Sequence, residues 1–222
     1  MSRVLDRVAD AGGFLYLVLA SVGYAVFVSP AVPQSLTSPS AVLAQLRDQP
    51  PGAAFWIGVG MESVGLVCLL LFAARLAGRI RLADPAGWIA GAVLGLAVAS
   101  ITVKLGSFGL VLTALNATRY DAGTVTALID TNQVTDTVAN AVDATFVLLT
   151  GLAALGTRVL PRWLGIAGAF AGLAVLIGVA VPGLFDSLQL AMFLWLVAAS
   201  GWLVLRGTRR PVEAQVPVPA AT

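Results

Sequence analysis

The chain has no histidine, one cysteine (Cys68) and one lysine (Lys104). Without histidine, His-ligated haem, di-iron chemistry, ordinary zinc hydrolysis and Ser-His-Asp catalysis are disfavoured. A lone cysteine forms no internal disulfide and no Cys-based metal cluster. No metal and no cofactor is therefore expected. Charge is scarce too: 11% of residues are charged, against roughly 25% in a soluble domain. The net charge is only +2 and the basic residues are scattered, so no nucleic-acid surface is expected. Segments of alternating polarity are missing, which argues against a β-barrel.

What remains is apolar. Hydrophobic residues make up 59% of the chain and the mean hydropathy is +0.93. Several apolar runs reach about 20 residues, the length that crosses a bilayer as a helix. The pattern predicts an all-α integral membrane bundle, a single domain over 12–210 with spans at about 12–28, 52–74, 86–112, 136–156, 164–181 and 188–205. Residues 1–11 are polar and predict an N-terminal tail, and the Pro/Val/Ala stretch 211–222 predicts a disordered one. A cleaved signal peptide is disfavoured, because the first run is long for an h-region and Asp6 and Asp10 sit among Arg3 and Arg7. Ser38-Pro39 opens a short interfacial helix with Val42, Leu43 and Leu46 on one face. The apolar stretch from Ala86 to Leu115 is too long for one perpendicular crossing, which predicts tilt or projection beyond the bilayer. Thr124–Gly156 reads as one long helix, polar at its start and apolar at its end.

The basic residues set the topology. With both termini inside, Arg3, Arg7, Arg75, Arg79, Arg81, Arg158, Arg162, Arg206, Arg209 and Arg210 are cytoplasmic, ten of thirteen basic residues. Arg47 and Arg119 fall outside. This is a positive-inside pattern for six spans. Twelve arginines to one lysine, with much Ala, Val, Leu and Gly, fits a GC-rich bacterial gene, hence an inner membrane.

Carboxylates inside a span are rare and mark function by default. Glu62 lies mid-span in GVGMESVG, with Gly58 and Gly65 on nearly the same face. Small residues let helices approach, so that face is expected to point into the bundle. Asp136, Asn140 and Asp143 share a face at i, i+4 and i+7, as do Ser100, Lys104 and Ser107. At a rise of about 1.5 Å per residue, Tyr24, Glu62, Ser100 and Asp143 fall at nearly one depth, about 18–21 Å from the cytoplasmic ends. Lys104 lies higher, near Asn140 and Asp136. It either pairs with Asp143 or Asp136, or snorkels to the surface. Glu62, Asp143, Lys104, Asn140, Ser100, Tyr24 and Asp136 are the candidate ligand-binding residues. A structural role, protonated or paired, competes with this for each carboxylate. Gly91, Gly95 and Ala99 make a small-residue face, a packing motif first and a dimer motif second. A Ser100–Lys104 catalytic dyad has little support beyond the i, i+4 spacing.

The stretch TVANAVDATFVLLTGLAALGTRVLPRWLGIAGAFAGLAVLIG, residues 137–178, resembles the second half of bacterial six-helix membrane proteins grouped as domain of unknown function four-three-eight-six. Its carriers are a helix ending in Gly151 and Gly156, a short Arg-bearing loop, and Leu160-Pro161-Arg162-Trp163-Leu164-Gly165 opening the next helix. GGFLYLVLA at 12–20 and the Pro-rich loop fit more loosely. The resemblance implies a six-helix inner-membrane fold and carries over no activity.

The residues point to a polar intramembrane pocket that binds or translocates a small or amphipathic molecule, with proton coupling through a carboxylate. The partners implied are the lipid bilayer and such a ligand. Two other readings stand beside it. One is a cofactor-free intramembrane enzyme with Glu62 and Asp143 as an acid/base pair acting on a lipid-soluble substrate. The other is a structural or regulatory membrane partner. No broken helix or inverted repeat is evident, and those are the usual sequence pointers to a transporter.

Overall fold

A computed structural model describes residues 2–31, 38–48, 50–116, 119–181 and 184–207. The described residues are all-helical: α1 (Ser2–Val22), α2 (Pro39–Asp48), α3 (Ala53–Ala83), α4 (Ile89–Ala114), α5 (Ala122–Thr157), α6 (Arg162–Ala180) and α7 (Phe185–Gly207). All but α2 are long and apolar enough to cross a membrane, giving six spans. In each, one face is buried and the other is apolar but exposed. On α3, Phe55, Leu66, Leu69, Phe72 and Leu76 are buried while Trp56, Ile57, Val64 and Val67 are exposed. In water so large an apolar face would be a liability; against acyl chains it is the solvated surface.

The six spans close into a ring in chain order. Each packs on the next, and α7 packs back on α1. Between helices in lipid, association rests on close packing, which small residues permit. A Cβ on Gly172 of α6 would lie 2.5 Å from the Ala144 carbonyl oxygen, and one on Gly151 of α5 2.4 Å from the Ala169 nitrogen. These glycines set the α5–α6 distance. Gly91 and Gly95, expected to pack, instead face outward with open space before them.

Several helices overrun the expected spans. α1 begins at Ser2, so residues 2–11, expected as a tail, form its first turns. The cause is an ion-pair clamp. Asp10 is buried and accepts from Arg75 Nε at 3.0 Å and Arg79 Nη2 at 3.2 Å, and Arg75 Nη1 lies 3.1 Å from Asp6 Oδ1. Asp6/Asp10 and Arg75/Arg79 are each i, i+4 pairs, so two helix faces zip together. This draws α3 on to Ala83, well past the expected end at 74. α5 has 36 residues, about 54 Å of helix, and projects beyond any bilayer. Its start is capped by Asp121, which accepts from the Thr124 N–H at 3.0 Å and the Thr124 hydroxyl at 2.7 Å. These bonds, the backbone one first, hold the Asp121 carboxyl below the usual carboxylate range. The cap's contribution is present above the unfolded value of about 4 and is lost as pH falls through the lower folded one. The projecting turns are covered by α2: Val42 and Leu46 pack with Ala114, Val125 and Ile129. The tail expected at 211–222 lies outside the described residues.

Past Val22 the first span changes pitch. Gly23–Val28 forms a π-helical turn followed by a 3-10 turn, Ser29–Ala31. The sequence showed no such irregularity. The wider turn lies at one of the close crossings of the first span and α3: a Cβ on Gly58 would sit 2.8 Å from the Gly23 carbonyl oxygen and 2.6 Å from Phe27 Cβ. Single π-turns of this kind are frequent at functional sites.

Overpacking the α5–α6 seam should cost about 1–3 kcal/mol. Gly172→Val is expected to lower the melting temperature of detergent-solubilised protein by several degrees, while the outward-facing Gly91→Val leaves it unchanged. Differential scanning fluorimetry of the two variants checks this.

Candidate functional site

The polar residues of the ring gather around one cavity of about 420 Å³. That falls within the roughly 300–1,000 Å³ typical of small-molecule sites. α1 and its π-turn supply Tyr16 and Tyr24, α3 supplies Glu62, α4 Lys104 and Ser107, α5 Asn132, Asp136 and Asn140, and α7 Gln189. Apolar walls come from Phe55, Val59, Phe108, Val111 and Phe193. Each of these elements runs past the cavity with its buried face inward, which explains why side chains so far apart in sequence converge.

At its base lies a charged network. Lys104 Nζ donates to Asp143 Oδ2 in a close ion pair, and to the Tyr16 hydroxyl at 2.6 Å. Ser100 Oγ donates to the other oxygen, Asp143 Oδ1. Lys104 therefore points inward and does not snorkel, and Asp143 rather than Asp136 is its partner. The ammonium is 5.1 Å from the Tyr16 ring centroid yet 2.6 Å from its oxygen. It approaches the ring edge, so the contact is a hydrogen bond, not a cation–π pair. Asp143 and Ser100 are buried and do not line the cavity themselves.

Above the network, Ser107 reaches Asp136 Oδ1 at 2.7 Å and also meets Asn132 Oδ1. A hydroxyl has one proton. With the Asp136 carboxylate taking it, Asn132 must turn its amide NH₂ toward Ser107, an orientation the hydrogen-bond network assigns. Asp136 is exposed and marks the cavity's polar rim. Gln189 Nε2 donates to Asn140 Oδ1 at 3.1 Å, joining α7 to α5. The threonines of α5 take no part: Thr131, Thr135, Thr137, Thr145 and Thr150 each donate to the carbonyl four residues back.

Glu62 differs from every other carboxylate here. It is 8% exposed, it lines the cavity, and its Oε1 is buried with no hydrogen-bond partner among the described residues. Gly58 and Gly65 beside it are buried as well, so the small-residue face does point inward.

Of the sequence candidates, Glu62, Lys104, Asn140, Tyr24 and Asp136 face the cavity, while Asp143 holds Lys104 from outside the lining and Ser100 holds Asp143. Glu62 and Asp143 are not a matched pair, since Lys104 and Ser100 occupy both oxygens of Asp143. Among the described residues no hydrogen bond joins Ser100 to Lys104, so no Ser–Lys dyad forms. Tyr16, Asn132 and Gln189 were missed. Tyr16 lies eight residues before Tyr24 on the same helical run, a spacing that could have flagged it. Gln189 is an amide at the start of an apolar run, and Asn132 lies one turn before Asp136. Among the described residues no three metal-ligating side chains converge.

Fold and site together define a multi-pass membrane protein with a mainly apolar cavity on which several polar side chains converge. The chain belongs to the family described as Domain of unknown function (DUF4386), whose model matches residues 11–207. No curated protein and no solved structure matches it.

The buried pair makes a two-sided prediction. Breaking it from one side leaves an uncompensated charge, at a cost of about 3–5 kcal/mol, whereas replacing both partners by apolar groups is far cheaper. Lys104→Met alone should sharply lower resistance to SDS unfolding, and Lys104→Met with Asp143→Leu should recover most of the loss. A double-mutant cycle measures the coupling.

Proposed function

We propose that the protein binds a small amphipathic molecule bearing a cationic head, with Glu62 as the carboxylate that receives it. One observation carries this reading: Glu62 Oε1 is buried at the wall of a mainly apolar cavity and has no partner among the described residues. A buried carboxylate is normally hydrogen-bonded or paired. The other carboxylates around the cavity have protein partners, Asp143 with Lys104 and Ser100, and Asp136 with Ser107. An ammonium or amidinium head against Glu62 would complete the set. The apolar walls formed by Phe55, Val59, Phe108 and Val111 suit a hydrocarbon body.

The same carboxyl can carry a proton or accept a cation, but not both. Where the free chain holds Glu62 protonated, binding a cation displaces that proton, which supports coupled translocation as an extension of the binding role. The enzyme reading fits less well, because it needs Asp143 as a free second carboxylate and Lys104 and Ser100 already engage it.

The arginines support the orientation. Arg75, Arg79, Arg81, Arg158, Arg162 and Arg206 all lie at the bundle end where α3, α5 and α7 finish and α6 begins. In a bacterial inner membrane that end faces the cytoplasm.

Two measurements test these proposals. Decylammonium should bind the detergent-purified chain with proton release, and Glu62→Gln should weaken binding about tenfold or more, the worth of one charge-assisted hydrogen bond. Isothermal titration in two buffers of different ionisation enthalpy reads both quantities. Equal affinity in parent and variant would sink the reading. For orientation, a fluorescent protein fused to the C-terminus should fluoresce and an alkaline phosphatase fusion should be silent; the reverse pattern overturns a cytoplasmic end.

A further inference from the structure

The arginine-rich end of the bundle holds two groups of guanidiniums with opposite fates. Arg75 and Arg79 are neutralised by Asp6 and Asp10. Arg158, Arg162 and Arg206 are not: among the described residues no carboxylate lies within ion-pair distance of them. These three line a second cavity, of about 600 Å³, where the end of α5, the start of α6 and the end of α7 meet.

Three features show that the cluster is built and not merely a product of topology. Arg158 has φ 58°, the left-handed region, and is the one non-glycine residue with positive φ among the described residues. A side chain there costs about 1 kcal/mol or more relative to glycine. Glycine is the usual residue at such a helix end, yet arginine occupies it and reaches the cavity. Arg206 is held in place, its guanidinium carbon 4.4 Å from the centre of the Trp202 ring, and Trp202 also lines the cavity. Finally, α6 begins at this cavity with Pro161 and Arg162, and no side chain caps it. Its first-turn N–H groups add the positive end of a helix dipole.

Three guanidiniums and a helix N-terminus around one cavity call for a phosphate. The flanks decide which kind. Leu155 and Ile166 line the same cavity, and Ile166 is 44% exposed on the bundle's outer face. Trp163 beside it is 58% exposed, as befits the membrane–water boundary. A free phosphate has no use for the apolar flank, whereas a phospholipid lays an acyl chain along it. We propose that this cavity binds the headgroup phosphate of an anionic phospholipid, with Arg158, Arg162 and Arg206 as its counter-charges. The lipid seats against three helices and ties the ends of α5, α6 and α7 together. This site is separate from the Glu62 cavity and does not depend on what binds there.

Native mass spectrometry of the full chain in detergent tests it, with dioctanoyl phosphatidylglycerol, dioctanoyl phosphatidylcholine and inorganic phosphate as ligands. Phosphatidylglycerol should bind at least tenfold tighter than phosphatidylcholine, and an equal concentration of inorganic phosphate should not displace it. Arg158→Gln, Arg162→Gln and Arg206→Gln combined should weaken phosphatidylglycerol at least tenfold. Arg81→Gln, an exposed charge at the same end but outside the cavity, should leave its affinity within twofold. The proposal is overturned if the parent chain does not prefer phosphatidylglycerol to phosphatidylcholine. Displacement by phosphate alone, or parental affinity in the triple variant, overturns it equally. So does a loss from Arg81→Gln that matches the loss from the triple variant, which would mean diffuse charge. The lipid preference is read on the unaltered protein, so the test stands even where a variant misfolds.

Discussion

In a low-dielectric bundle a lone ammonium and a lone carboxylate are each expensive, and here they are held in contact. Lys104 of α4 donates to Asp143 of α5, with Tyr16 of α1 and Ser100 of α4 completing the shell. The pair forces α1, α4 and α5 into one register, because neither partner can move a turn without stranding the other. Replacing it by hydrocarbon would serve packing as well or better. The pair shapes the cavity floor, where Lys104 lines the same cavity as Glu62 while Asp143 neutralises it from outside the lining.

Around that register the ring is closed by small residues. Glycines at the α1–α3 and α5–α6 crossings bring backbones to contact distances that a single methyl group would prevent. Lipid supplies no hydrophobic drive between helices, so dispersion at these seams carries much of the association. The π-turn of the first span follows from the same geometry. Close approach at Gly23 and Gly58 sits beside Tyr24 and Glu62, so the irregular backbone and the carboxylate whose Oε1 has no partner among the described residues meet at one wall of the cavity.

The arginine end shows the same economy of charge at another depth. Asp6 and Asp10 neutralise Arg75 and Arg79 and extend α1 and α3 beyond the apolar core. On the far side of the same end, Arg158, Arg162 and Arg206 surround a cavity with no such partner among the described residues. The proposed cytoplasmic orientation would account for arginines at that end. It does not explain why one group is paired and the other left open around a hollow.

Hydropathy alone was enough for six membrane helices, since apolar runs of bilayer length have one stable solution in lipid; the short helix at Pro39–Asp48 was legible from its Ser38-Pro39 start and apolar face, and the family from the resemblance at 137–178. Helical spacing also put Glu62 beside Gly58 and Gly65 and brought Asp143 level with Ser100. Partner choice was not legible. Spacing along one helix cannot say which residue of another helix it meets, so Lys104 stayed divided between Asp143, Asp136 and the surface. The polar start of α1 looked like a tail because its countercharges lie on α3, far along the chain. Gly91 and Gly95 looked like a seam because a small-residue stripe reads the same whether it faces a helix or the lipid. The sequence by itself determined how many helices are long and apolar enough to cross a membrane and which polar groups share a helix face. Only the tertiary structure decided which of those groups touch, because that depends on the rotation and packing of each helix about its own axis, which the linear pattern does not record.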